Sequence, residues 1–422
     1  MSYDPQALAP LRWPLSWTDA GMLDLISGCR INCLLFERAD EAPQIRAAAE
    51  RAGIHVALMS EVAAAALSDL RWNSEASIVA VTDARWPGVR LRKGERAANA
   101  GPTGAAWIDA NGWLARLVRA KAPSKALWLA FKPGDNEYAL RPNAYLLAIA
   151  EAGVYGARWP ITLDPGFAKA LSLRDAAAAA HWRRMMQTLD FFEQRRAVRD
   201  LPPAAGLGAI SDFAGPNQFT AAEFLNLAAR RNLLYRVLDK AGEPNLAGLH
   251  AAIYLDQEPA PERWRAALQK FAEDGGLVIA QAVSGLQGAK PAPCDLPGYQ
   301  MWSAGAGRIA IPVKDWQDPW VTAAETQALV GRRRDPVRLF NPGGLNLYVQ
   351  ADHRRMIVHL INYALSRPGD EKTIAPSGRY SSARFVTIGA EPRPVAITRR
   401  EKVNDELALP PFEVYAAVEL QK

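Results

Sequence analysis

The chain has 422 residues, 49% of them hydrophobic and 22% charged, which excludes wholesale disorder and exceeds the size of one ordinary domain. Its 50 Lys plus Arg stand against 44 Asp plus Glu, a net charge of +6 with no basic run longer than Arg332-Arg333-Arg334, so no nucleic-acid partner is expected. Three cysteines (Cys29, Cys33 and Cys294) cannot build a disulfide framework, and the five histidines lack metal-ligand spacing, so neither metal nor cofactor is expected. No apolar run approaches about 18 residues, so no membrane span is expected. The opening MSYDPQALAPLRW lacks a basic start followed by an apolar stretch. It predicts a soluble protein without a signal peptide, either cytoplasmic or a mature exported form. The 13 tryptophans are the compositional oddity, since Trp serves both for packing and for stacking on sugar rings.

From residue 11 to 164, short apolar runs alternate with helical stretches. Strands are predicted at 31–36 (INCLLF), 54–59, 78–81 (IVAV), 105–108 (AAWI), 126–131 (ALWLAF) and 157–163, with 12–16 and 89–91 as weaker additions. Ala-rich helices at 42–52 and 144–152 lie between them, followed by Gly53 and Gly153. This alternation predicts a parallel sheet, read as a compact (β/α) barrel with an open sheet as the alternative. A single long helix is expected over 171–198, where Trp182, Met185, Leu189 and Phe192 recur at helical steps and Pro202-Pro203 ends the run.

Residues 206–313 read as a second α/β unit of flavodoxin-like, doubly wound pattern. Its strands are predicted at 207–213, 234–238, 249–255 and 277–280, with 309–313 as an edge strand because of Pro312. Thr220 and Glu223 form a capping box for one helix, and Pro261 opens another that Gly275-Gly276 ends. From residue 335, short strands at 337–340, 345–349, 356–362, 383–388, 395–397 and 413–419 are separated by Gly, Pro and Asp turns, which predicts a small β-sandwich. The expected units are therefore 1–200 (barrel with linking helix), 201–334 (Rossmannoid) and 335–422 (sandwich).

The segments LGAISDFAGPNQFTAAEFLNLAARRNLLYRVLD, LAGLHAAIYLD and ALQKFAEDGGLVIAQAVSG, with the C-terminal RRMIVHLINYA and LPPFEVYAAVEL, resemble the β-galactosidase family whose amidotransferase-like middle domain supports trimerisation. The resemblance implies a barrel glycoside hydrolase with a glutamine-amidotransferase-like support domain, a carbohydrate substrate and a homo-oligomer formed through the middle domain. That family places its general acid in an Asn-Glu pair and its nucleophile on a second, later Glu. Asn136-Glu137 is the Asn-Glu pair of this chain, while the later strand ends at Asp164 instead. An amidotransferase nucleophile is missing, since Asp256-Gln257-Glu258-Pro259 stands where its Cys would be.

Glycoside cleavage needs two carboxyl groups across one sugar, about 5–5.5 Å apart for retention or about 6.5–9.5 Å for inversion. In a barrel they sit at the carboxyl ends of strands. Glu37, Glu61, Asp83, Asp109, Glu137 and Asp164 follow predicted strands, and Asp109, Asp164, Glu37, Asp83 and Glu137 are the catalytic candidates. Each has a plainer reading as a helix cap or surface acid. Asp109 is favoured because GPTGAAWIDANGW crowds Trp107, Asn111 and Trp113 around it, a stacking platform with a hydrogen-bonding amide; an Asx turn with inward tryptophans is the alternative. Lys132 is placed to pair with a neighbouring acid. The competing function is a non-catalytic carbohydrate-binding or assembly protein that keeps the architecture.

Overall fold

In the computed structural model, which describes residues 3–89, 107–131, 143–364, 372–399 and 405–422, the first apolar runs pair as two parallel trios. Strands β1 (Pro10–Arg12), β2 (Cys33–Phe36) and β3 (His55–Leu58) form one; β4 (Ala63–Ala65), β5 (Ile78–Val81) and, past the antiparallel pair β6 (Gly88–Val89) and β7 (Ile108–Asp109), β8 (Ala126–Leu129) form the other. The segment 157–161 lies between the trios, bridging parallel to β8 at Arg158 and to β1 at Ile161. Seven parallel segments thus wind in chain order, the last beside the first.

The expected barrel does not close: among the described residues β3 and β4 are not hydrogen-bonded. Only residues 59–62 join them, including the 3-10 turn Met59–Glu61. Neighbouring parallel strands need a crossover of a dozen or more residues, so this link is too short to pair them. The run expected at 105–108 also departs from the barrel reading, because its described end, β7, pairs antiparallel with β6.

Side chains alternate across the sheet. Cys33, Leu35, Ala57, Ile78, Ala80, Ala126 and Trp128 share one cluster, in which small residues leave room for the fully buried Trp128. Leu34, Phe36, Val79, Val81, Leu127 and Leu129 join the cluster that includes the helices α1 (Pro43–Arg51), α2 (Gly112–Lys121) and α3 (Ala144–Val154). The helix expected over 171–198 is α5 (Ala176–Gln194), which starts later than expected, after a separate helix α4 (Pro165–Ser172). Arg174 between them is left-handed (φ 58°), and the Asp175 side chain accepts from the Ala178 N–H to start α5.

A second sheet contains β9 (Leu207–Ser211), β10 (Tyr235–Asp239), β11 (Ala251–Tyr254), β12 (Leu277–Ala280), β13 (Lys290–Ala292), β14 (Tyr299–Ala304) and β15 (Gly307–Pro312), in the order β10-β9-β11-β12-β15-β14-β13. Its first five strands are parallel, with the strand order reversing direction between β9 and β11. Helices α6 (Gln218–Arg230), α7 (Glu262–Glu273) and α8 (Pro319–Val330) accompany it. Strand β15 is internal rather than an edge: it pairs with β12 only over residues 308–310, so the missing N–H of Pro312 interrupts nothing there. Helix α6 begins at Gln218 on the 3-10 turn Gly215–Asn217, which leaves Thr220 inside the helix rather than at its cap.

The C-terminal strands are β16 (Val337–Phe340), β17 (Leu345–Ala351), β18 (Arg355–Asn362), β19 (Lys372–Pro376), β20 (Ser382–Thr387), β21 (Arg393–Pro394), β22 (Leu407–Leu409) and β23 (Tyr415–Gln421). They make two antiparallel sheets, β16-β19-β22 and β17-β18-β23-β20-β21, around a common core of Leu339, Ile374, Leu347, Val358, Phe385 and Val418.

Helix α3 is buried on every side and carries one charged residue, Glu151. Its carboxylate accepts from the Asn111 N–H (2.6 Å), Asn111 Nδ2 (2.8 Å), the Gly112 N–H (3.2 Å) and the Tyr363 hydroxyl (2.6 Å). Burial holds this acid above its ordinary value, and the four donors offset that only in part. The group ties α3 to the start of α2 and to the end of β18. A Cβ on Gly112 would lie 2.4 Å from the Tyr155 ring, so α2 can approach this closely only with glycine there. On the other face of the junction, Phe191 and Phe192 of α5 meet the Tyr415 ring, and Arg195 pairs with Glu419. Replacing Tyr363 by Phe removes one donor from a buried carboxylate and is expected to cost about 2 kcal/mol. A lowered denaturation midpoint checks it; an unchanged midpoint would show that the hydroxyl is dispensable.

Candidate functional site

The carboxyl ends of the first sheet surround a cavity of about 730 Å³. Its walls come from successive strand ends: Arg12 at the end of β1 and Trp13 after it, Glu37 after β2, Met59 after β3, Ala64 in β4, Thr82 after β5, Ala130 after β8, and Thr162 and Leu163 after the 157–161 segment. Glu37 is half-exposed, and one of its oxygens lies 3.1 Å from Arg12 Nη2. The Glu37 N–H donates to Glu41 Oε2 at 3.0 Å, and Glu41, largely covered, also faces Arg38 at 3.4 Å. Burial lowers the Arg12 guanidinium, and Glu37 and Glu41 oppose that shift. Sequence reasoning included Glu37 but missed Arg12, whose signal was its place at the end of an apolar run.

The other acids are engaged elsewhere. Asp83 accepts from the Leu67 N–H at 2.6 Å, fastening the turn after β4 to the end of β5. Asp164 caps α4 by accepting from the Phe167 N–H (2.9 Å) and takes a second bond from the Tyr145 hydroxyl (2.7 Å). Burial raises that phenol, the Asp164 N–H opposes the shift, and the hydrogen bond to the Asp164 carboxylate adds to it. Glu61 accepts from the Leu58 N–H at 3.0 Å. Asp109 is buried on β7 with Arg85 3.6 Å away.

The residues grouped with Asp109 do not reach the cavity. Asn111 is 2% exposed; its side chain accepts from the Arg85 N–H, donates to the Arg85 carbonyl and donates to Glu151. Trp107 lies beneath the Arg230 guanidinium of α6, 3.6 Å from the ring centroid, and Trp113 packs half-buried against the core. This group therefore joins the first sheet's helices to the second unit. Glu137 and Lys132 lie outside the described residues.

A separate charged cluster sits at the carboxyl ends of the second sheet, where the strand order reverses. Lys240 Nζ donates to Asp256 Oδ2 (2.6 Å), Asp212 Oδ2 (3.0 Å) and Glu258. Asp256 is fully buried, and burial raises it, with Asp212 adding to the shift while Lys240 counters it. Burial also pushes Asp212 up, but the Ala214 N–H and Lys240 outweigh it and hold the group below its ordinary value. The three carboxylates have oxygens within 4.8 Å of one another, a spacing that suits a cation, and the lysine ammonium occupies that role. Among the described residues no helix is long and apolar enough to cross a membrane.

No family profile matches the chain, and no curated protein matches it in sequence. Solved structures do. The α-L-fucosidase isoenzyme 2 from Paenibacillus thiaminolyticus matches with a TM-score of 0.54 and 13% identity, over 99% of this chain and 84% of that one. The GH42 β-galactosidase Gan42B from G. stearothermophilus matches at 0.51 and 11%, over 90% and 66%. The β-galactosidase from Bacillus circulans sp. alkalophilus matches at 0.51 and 11%, over 89% and 65%. At such identities the likeness speaks for the fold alone: the chain has a glycoside hydrolase-like fold, and it spans about two thirds of the length of those galactosidases.

Replacing Lys240 by Met leaves three mutually repelling carboxylates, one of them buried, and is expected to lower stability by about 3 kcal/mol. Thermal unfolding of the variant at neutral pH, with and without a divalent cation, checks this. An unchanged Tm without cation would mean that the ammonium does not hold the cluster together.

Proposed function

We propose that the protein acts on a carbohydrate in the cavity at the carboxyl ends of its first sheet and hydrolyses a glycosidic bond there. The observation that carries this reading is Glu37 opening into a cavity of about 730 Å³ formed by strand ends that wind in chain order. Active sites of (β/α) barrels are built at this end of the strands. Glu37 is the carboxylate assigned to the reacting centre, oriented by Arg12. Glu137, of the Asn136-Glu137 pair, is assigned as its partner. Asp83, Asp109 and Asp164 are assigned to structure, because each already accepts hydrogen bonds or an ion pair within the fold.

One observation favours a second reading, carbohydrate binding without hydrolysis. The two carboxylates among the described residues that line the cavity, Glu37 and Glu41, come from one loop, so they do not face each other across a sugar. A panel of 4-nitrophenyl glycosides, with binding followed in parallel by calorimetry, separates the readings. Hydrolysis predicts turnover that falls about a hundredfold or more in Glu37→Gln and in Glu137→Gln. Binding without any turnover by the wild type would leave the second reading.

We further read the chain as three units, 1–200, 201–334 and 335–422, with the middle one an amidotransferase-like support through which copies associate. Exposed Phe219, Val283 and Val313, each following a parallel strand of the second sheet, support that role. Sedimentation velocity is expected to show an oligomer; a monomer at micromolar concentration would overturn it.

A further inference from the structure

The apolar side of the cavity defines which glycoside it suits. The loop from Trp13 to Trp17 is pinned at both ends: Trp13 Nε1 donates to the Trp17 carbonyl and Trp17 Nε1 to the Ala168 carbonyl of α4, both at 2.9 Å. Both indoles are buried. The pinned loop holds Leu15 at the rim with 69% of its surface exposed. Pro14 and Leu15 on this loop, with Leu163, Pro165 and Ala168 on the adjoining segment, form a wall whose side chains carry no polar atom.

The charged groups are on the other side of β1: Arg12 ends that strand, and Glu37 and Glu41 follow its neighbour β2. Hydroxyls of Ser16, Thr82 and Thr162 complete the polar lining. The cavity is larger than one pyranose ring requires. A second pyranose against the Pro14–Ala168 side would give up water at its hydroxyls and find few partners besides the Ser16 and Thr162 hydroxyls, which is costly. An apolar group would bury its own surface together with that of Leu15, which is favourable.

We propose that the cavity takes a glycoside with an apolar aglycone, an alkyl or aryl group, seated against Pro14, Leu15, Leu163 and Pro165; this rests on the carbohydrate reading above. Hydrolysis breaks the bond between the anomeric carbon and the aglycone oxygen. Water supplies a hydroxyl to the carbon and a proton to that oxygen, so the aglycone leaves as an alcohol or phenol.

The test compares matched methyl and octyl glycosides of galactose, glucose and fucose, with free octanol as a sugarless probe, by tryptophan fluorescence titration of the full chain. The octyl member is expected to bind at least tenfold more tightly than its methyl counterpart, and Leu15→Asp, a change at an exposed position, is expected to bring that ratio close to one. Equal affinities in the wild type, or a ratio that survives in Leu15→Asp, would overturn the inference while leaving the carbohydrate reading intact. Octanol binding that is lost in Leu15→Asp, with no glycoside bound, would uphold the apolar wall and remove the carbohydrate reading. No binding of any probe would sink both.

Discussion

One buried carboxylate holds the molecule's parts in register. Glu151 sits in a helix with no exposed face, and its oxygens take every donor that reaches them: two from Asn111, one from the first residue of α2 and one from Tyr363 beyond β18. A polar group so buried is tolerated only while those donors stay aimed at it, so the start of α2, the middle of α3 and the C-terminal sheet are fixed together. Arg116 extends the same junction to the second sheet through its contact with the Tyr235 ring, 3.8 Å from the centroid. The packing is equally exacting, since Gly112 admits the Tyr155 ring where any side chain would collide.

How much of this could be read from sequence depends on which residues carried the signal. Continuous β-branched and aliphatic runs identified β5 at 78–81 and β12 at 277–280 to the residue. The strand Ala63–Ala65 was missed because three alanines carry no strand preference and read as helix. The start of α5 was placed too early, although the left-handed Arg174 and the Asp175 cap mark it. Glu151 was legible in principle: a lone acid inside AYLLAIAEAGV has nowhere to be but inside. Its partners were not legible, since they come from 40 and 212 residues away in the chain.

The candidate site shows the same division. Acids at strand ends are common because strand-to-helix loops need acceptors, and sequence alone could not tell a cap from a group facing open space. Asp164 and Asp83 spend their oxygens on backbone N–H groups, as caps and turn clamps do. Asn111 looked like a ligand-binding amide because it sits among Gly and Trp, yet Gly112 serves the close approach to the Tyr155 ring, and Trp107 and Trp113 pack against Arg230 and the core. What distinguishes Glu37 is not its local sequence but its company: a guanidinium from the adjacent strand and a hollow in front of both.

The seven-segment winding also constrains how the chain is made. Because the strand nearest the start bonds to Ile161, the first sheet stays incomplete until some 150 further residues have been synthesised. Until then Pro10–Arg12 has a neighbour on one side only, and its other edge is open to whatever strand arrives. Translation speed across that interval, and any chaperone able to shield a bare edge, therefore bear directly on the yield of native protein.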